Sequence, residues 1–507
     1  MTTDTPEAAA DPAAAPRMDA PASADAPGTR AALRAQQTGE LPTLVPAGPP
    51  ATAPASAGRP ALSWIDVAAV AAGSTPTPPA PLTGAAAGPA LTAGAPRRSF
   101  LRSGVLPPLA VLATTGIVYA SAMALWPLHE VAPTIDAATY APESAALATI
   151  TWPAVGSAAV GIEGLSAVAS TEDAAPMASI TKVVTVLAAL ERMPLGLGEQ
   201  GPSFAFTSND SEVHWDYRRD DQSALDVPID GTLTQYQLFQ GILLGSANNY
   251  ADRLSDDIWG SDSEFVIAAT AWLRDRGVTD IQLENPSGIG WGNTATPRAL
   301  LQLAALAESN PVIAEIVATK EADIPGAGLV TNTNKLVLED PGVIGVKTGT
   351  IGEDPDILYN LLSAKDIEID GTTVRVYASV LGQADGEQRV AASRSLFTEV
   401  EAALKAQPQT VAKGDVLGTV RTMWGAEVPV VAAKDARVVL WNGAVASTAG
   451  SYALGEDWTQ GADAGSLTVT GPLDDTTVAA ELAEDIDGPS FWWRLTHPLE
   501  LLGIDAQ

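Results

Sequence analysis

From Gly104 to Leu128 the chain runs for 25 residues without a charged side chain. As a helix rising ~1.5 Å per residue, such a run is ~37 Å long, enough to cross a ~30 Å hydrocarbon core with some tilt. Pro107 and Pro108 fall in its first turns, where a missing N–H is least disruptive. Arg97, Arg98 and Arg102 precede the run, and His129 and Glu130 follow it. The positive-inside rule then puts the N-terminal side in the cytoplasm and the larger C-terminal part outside, with Trp126 at the outer interface. Ala120-Ser121-Ala122 has the small-residue pattern of a signal-peptidase site, but the region before it is very long for a signal peptide. The expectation is an uncleaved, single-pass transmembrane helix over 103–128.

The leader, 1–102, is rich in Ala, Pro, Thr and Gly and poor in large apolar side chains. It cannot bury enough apolar surface to offset ordering entropy, so a disordered cytoplasmic tail is expected. The apolar patch Trp64–Val70 reads as incidental to it. At 507 residues the chain is long enough for two or three domains. The leader's small acidic surplus is balanced by the arginine cluster, so the formal charge of −32 lies beyond the apolar run. That field repels nucleic acid and anionic headgroups, which argues against nucleic-acid binding. With no cysteine, disulfides, thiolate nucleophiles and cysteine metal sites are excluded.

Three short motifs carry chemistry. Ser179 opens the run SITKVVTVLAALE, whose apolar positions follow helical spacing. Lys182 lies three residues on, so the two side chains share one face. A serine hydroxyl needs a group to take its proton. None of the three histidines lies near a serine motif, and a neutral lysine can take that role. A lysine with its ordinary pKa of ~10.4 is charged at neutral pH, so burial and a second ammonium must lower it. Ser246-Ala247-Asn248 follows the helical run Leu233–Leu244, with Gly245 expected to end that helix in a left-handed conformation. Tyr250–Trp259 reads as the next helix, leaving Ser246 and Asn248 on the connecting turn. Lys347-Thr348-Gly349-Thr350 falls in the strand-like run Gly342–Ile351. There a lysine and a threonine on an edge strand can grip a carboxylate, and Gly349 admits close backbone approach. Each motif alone has an ordinary structural explanation. Their order, 67 and then 101 residues apart, is far more specific.

In these motifs the chain resembles the D-alanyl-D-alanine carboxypeptidases, low-molecular-weight penicillin-binding proteins of the actinobacterial type. The resemblance covers Trp152–Gln383, including PMASITKVVTVLAALE, LLGSANNYADRL, NPSGIGWGNTATPRALLQLA and TNTNKLVLEDPGVIGVKTGT. It implies an α+β domain of penicillin-binding/β-lactamase type over 150–406, with a central antiparallel sheet flanked by helices. By the same resemblance Ser179 is the nucleophile, Lys182 the general base, and Ser246 a proton relay working with Lys347. Asn248, Thr348, Gly349 and Thr350 would bind substrate, and the Ser179 and Thr350 N–H groups would form the oxyanion hole. The implied substrate is a peptidoglycan stem peptide ending in D-Ala-D-Ala, with β-lactams as inhibitors. No metal or other cofactor is implied. Ala247 stands where relatives often have glycine, and Thr333 where some have a basic residue, so carboxylate recognition would rest on Lys347 and the threonines. Asn249 either assists Asn248 or serves the turn.

Further along, a linker is expected over 129–149. Ser263–Arg276 reads as a capped helix and Ile281–Glu284 as a short strand. A helix runs from Pro297, strands cover Tyr359–Lys365 and Thr372–Leu381 on either side of the Lys347 strand, and a helix covers Glu387–Lys405. Residues 407–488 read as a small all-β domain, with strands at Glu427–Val431, Ala436–Trp441 and Ser466–Thr470. The tail, 489–507, is amphipathic and is expected to pack on that domain. A serine β-lactamase with Glu284 or Glu264 activating water, a DD-endopeptidase, and a non-catalytic cell-wall scaffold are the rival readings.

Overall fold

The computed structural model describes residues 106–504. The leader, its Trp64–Val70 patch and the arginine cluster lie outside the described residues. Helix α1, Leu106–Leu125, occupies the uncharged run, is almost wholly exposed, and is long and apolar enough to cross a membrane. Strand β1, Thr134–Ala137, follows after one short turn. Strands β2, Ser157–Ile162, and β3, Ala167–Ala169, form a hairpin.

A helical layer comes next: α2, Thr181–Arg192; α3, Ser208–Arg219; α4, Gln235–Leu243; α5, Asn248–Trp259; α6, Asp262–Asp275; and α7, Pro297–Ser309. Local signals set their ends. Thr296 Oγ1 accepts from Ala299 N at 3.1 Å, with Pro297 at the first helical position, as the spacing predicts. Ser261, not Ser263, caps α6. Every residue of α2 from Thr181 to Leu190 is buried, which is why this stretch has no polar stripe.

Strands β4, Val343–Ile351, β5, Leu358–Ile369, and β6, Thr372–Gln383, complete a five-stranded antiparallel sheet in the order β4-β5-β6-β2-β3. The Lys347 strand is therefore an edge strand. Only β5 pairs with it, and the expectation that both later strands flank it is corrected: β6 lies one position further in. The α-layer covers one face and helix α8, Gly386–Lys405, the other. Strand β2 is buried throughout because Ala159 faces one core while Ala158, Val160 and Ile162 face the second.

The C-terminal region is all β: β7, Val416–Arg421; β8, Glu427–Ala432; β9, Ser447–Tyr452; β10, Asp463–Thr470; and β11, Asp475–Leu482. Its six-stranded sheet runs β1-β7-β8-β11-β10-β9. The stretch read as a linker thus supplies the edge strand, with Ile135 opposite Val420. A second expectation is corrected here. Ala436–Trp441 forms no strand and makes only one bridge, Ala436 to Val411. Val438 and Leu440 enter the β-sheet core while Val439 and Trp441 enter the core under α8. Alternation came from lying between two cores, not from a ladder.

The tail packs on more than the β region. Helices α9, Phe491–Thr496, and α10, Pro498–Leu501, close around the end of α1. Arg494 Nη1 donates to Trp126 O at 2.8 Å, and the Tyr119 hydroxyl donates to Leu495 O at 2.8 Å. Met123, Val131 and Leu501 bury a small cluster there, against which Trp424 and Trp493 pack.

Candidate active site

Ser179 sits in a tight turn, Ala178–Ile180, with the α-helix starting only at Thr181. Ala178 is held at φ 53°, a left-handed conformation that a non-glycine residue adopts at some strain. The half-buried Ser179 hydroxyl faces the wholly buried Lys182 amine, Oγ to Nζ 2.9 Å. Two more acceptors hold that amine: Asn248 Oδ1 at 2.6 Å and Ser287 O at 2.5 Å. If those two take both N–H groups of a neutral amine, its lone pair is left for the serine proton. Burial pushes Lys182 down to about 7, against the pull of the Asp252 carboxylate.

Asn248 is the first residue of α5, so this helix starts two residues earlier than the periodicity suggests. Gly245 is not the left-handed residue. Ser246 takes that conformation, at φ 58°. Gly245 sits in close packing instead, where a Cβ would lie 2.8 Å from Leu225 Cδ1 and 3.0 Å from Val330 Cγ1. The buried Ser246 hydroxyl is not hydrogen-bonded to either lysine among the described residues. Asn249 braces the loop that follows α3, not the turn itself: its Oδ1 accepts from Leu225 N at 3.2 Å and its Nδ2 donates to Leu225 O at 2.8 Å.

Lys347 is buried, with Nζ donating to Thr348 O at 3.1 Å. Burial, then the Lys182 and Arg389 charges, hold its pKa well below the usual lysine range. The Thr348 and Thr333 hydroxyls are 2.8 Å apart, so the residue standing in a basic position supports a motif threonine directly. Gly349 lets β4 pass the Ser179 turn, where a Cβ would lie 2.7 Å from Met177 O. The backbone it admits is the chain's own. Thr350 is exposed at the edge.

Three contributors had no recognisable motif. The Asn285–Asn293 loop supplies the Ser287 carbonyl and is shaped by Asn285 Oδ1, which accepts from Gly288 N at 2.8 Å. From α8, Arg389 Nη1 donates to Gly349 O at 3.0 Å and Asn360 O at 3.2 Å, adding positive charge under the edge strand. Asp252 lies one turn after Asn248, and its Oδ2 accepts from the Tyr217 hydroxyl at 2.6 Å. A cavity of about 260 Å³ adjoins these groups, lined by Asp216, Tyr217, Asp220, Gln222 and Ile289. Gln222 Oε1 accepts from Asn248 Nδ2 at 3.2 Å.

A serine bonded to a buried lysine, beside an edge strand bearing a second buried lysine, is an acyl-transfer arrangement. Residues 167–373 match the Peptidase S11 family, D-alanyl-D-alanine carboxypeptidase. The matched segment holds all three motifs. The D-alanyl-D-alanine carboxypeptidase DacB2 of Mycobacterium tuberculosis is 34% identical over 122 residues, covering 23% of this chain and 42% of that protein. DacF of Bacillus subtilis, a D-alanyl-D-alanine carboxypeptidase too, is 26% identical over 191 residues, covering 36% and 46%. The chain thus spans less than half the length of these curated relatives. Among solved structures, a D-alanyl-D-alanine carboxypeptidase from Mycobacterium tuberculosis aligns with 51% of this chain and 96% of its own, at 23% identity and TM-score 0.42. The Streptomyces K15 DD-transpeptidase aligns with 50% and 100%, at 21% identity and TM-score 0.43.

Proposed function

We propose that the protein is a serine D-Ala-D-Ala carboxypeptidase acting on peptidoglycan stem peptides and inhibited by β-lactams. The observation that carries this reading is the 2.9 Å contact between Ser179 Oγ and the buried Lys182 Nζ. Ser179 Oγ attacks the carbonyl carbon of the penultimate D-Ala as its proton passes to Lys182. The N–H groups of Ser179 and Thr350 receive the oxyanion, each such donor being worth about 3 kcal/mol of barrier. Ser246, working with Lys347, gives its proton to the leaving amine and takes one from Lys182, so that terminal D-Ala departs and Lys182 is neutral again. Water then hydrolyses the ester, with Lys182 again as base. Asn248 orients the substrate amide. Lys347, Thr348 and Thr350 face the substrate carboxylate, past Gly349.

The β-lactamase alternative is weakened by the placement of its candidate glutamates. Glu284 is exposed and accepts from Gly292 N within its own loop at 3.0 Å, and Glu264 is exposed in the first turn of α6.

The same reading places α1 across the cytoplasmic membrane, with the N-terminal side inside and the peptidase outside. Trp126, Phe491 and Trp492 are exposed at one end of α1, where aromatic residues suit a bilayer interface. The decisive experiment pairs D-Ala release from a pentapeptide with mass spectrometry after fluorescent penicillin treatment. One adduct on Ser179, lost in Ser179→Ala, is expected. Turnover of a β-lactam without D-Ala release would favour the lactamase, and release only from crosslinked dimers an endopeptidase.

A further inference from the structure

Lys182 has titratable neighbours on two sides. Lys347 on β4 is a second buried amine, itself faced by Arg389 from α8. On the other side, α5 presents Asn248 and, four residues on, Asp252, so both side chains project from one helix face. Asn248 bonds the Lys182 amine directly, while Asp252 lies beyond ion-pair contact but within its field. The carboxylate is half-buried, and the hydration it loses raises its pKa overall and disfavours its charge. The Tyr217 hydroxyl from α3, the Ser287 hydroxyl and the Lys182 charge all favour it, and Asp262 on α6 opposes it. The Tyr217 hydroxyl, 2.6 Å from Asp252 Oδ2, holds the carboxylate in place.

We propose that Asp252, held in place by the Tyr217 hydroxyl, is a positioning residue that acts on Ser179 through Lys182. Its negative charge favours the ammonium form, opposing burial. Burial and this carboxylate together set the pH at which Lys182 becomes a free base. Asp252 touches neither substrate nor the reacting oxygen. The acyl-transfer reading above gives this device its purpose, but the proton affinity of Lys182 is measurable without it.

The test uses the full chain in detergent with 13C-labelled lysine, following the Lys182 Cε resonance against pH. Lys182→Arg identifies the signal. In Asp252→Asn the counter-charge is gone, and the Lys182 midpoint is expected to fall by about one pH unit. Tyr217→Phe leaves the carboxylate without its donor, so it protonates more readily, and the midpoint falls by less. The double variant should fall no further than Asp252→Asn, because both act through one carboxylate. The acid limb of the penicillin acylation rate should move by the same amounts. An unchanged or raised midpoint in Asp252→Asn, with the other lysine signals in place, overturns the proposal. So does a loss of acylation equal at every pH with no movement of the midpoint. If Asp252→Asn fails to fold, Tyr217→Phe decides alone, by a lowered or an unmoved midpoint. A wild-type protein that forms no Ser179 adduct would overturn the acyl-transfer reading, while the lysine titration still decides this one.

Discussion

Lys182 Nζ makes three short contacts, to Ser179 Oγ, Asn248 Oδ1 and Ser287 O, and two of the three acceptors cannot give up a proton to it. Only the serine can. Replacing Lys182 by methionine keeps the buried stem and removes the base. The acylation rate by penicillin should fall about 10²–10⁴-fold, measured by stopped-flow fluorescence, with the thermal midpoint little changed or raised. A variant that acylates normally would remove Lys182 from the mechanism.

The pH profile follows from the same burial. Lys182 is neutral above about 7, so acylation should rise with pH through that value and level off above it. The linked stability runs in the same direction. Between about 7 and the ordinary lysine value the unfolded chain binds a proton that the folded one does not, so this group's contribution to stability rises with pH across that window. Rates and unfolding midpoints between pH 6 and pH 10 check both limbs.

Glu308, at the end of α7, is buried with Oε1 unpartnered, and Arg375 Nη1 is 3.9 Å from its Oε2. Burial pushes its pKa up to about 7, so the folded protein holds a proton there that the unfolded chain gives up above the ordinary value of 4.5. Its contribution is full below 4.5 and is lost as pH rises through about 7. Glu308→Gln should flatten the thermal midpoint against pH across this window. An unaltered slope would show that Glu308 does not titrate there.

Gly349→Ala places a methyl 2.7 Å from Met177 O, next to the turn that carries Ser179. A backbone atom cannot rotate away, so the strand and the turn must separate. We expect a loss of about 1–3 kcal/mol in stability and a larger proportional loss in acylation, read from denaturant melts and penicillin labelling. Equal activity in the variant would mean that β4 and the turn can part without consequence.

Removing residues 106–149 strips β1 from the six-stranded sheet and makes β7 its bare edge, paired only with β8. Compared with a chain lacking only 106–130, it should melt roughly 5 °C lower and aggregate, since a bare edge recruits other strands. Light scattering during a thermal ramp separates the two.

The site was legible where chemistry is local. Ser179 and Lys182 are three residues apart on one turn, and the Lys347 strand carries its own glycine, so residue type and spacing were enough to bring them forward. The Ser287 carbonyl was not legible, because a backbone oxygen has no side-chain signature. Arg389 and Asp252 became part of the site only through tertiary packing, on helices whose sequence pattern reports their buried faces and nothing else. In the fold, β1 is four residues long, too short to show alternation, and it was passed over. Ala436–Trp441 failed in the opposite sense, since two cores impose the same period of two as a pleated strand.

One feature of the chain path bears on where such an enzyme can work. Only Trp126–Pro133 separates α1 from β1, and part of that stretch is itself a turn packed against the tail helices. There is no slack leash between the proposed span and the folded body. With α1 in a bilayer, the height of the proposed peptidase above it would be fixed by the dimensions of the β region, as a turret is by its base. It would trim strands of wall lying at one distance from the membrane and leave more remote layers untouched.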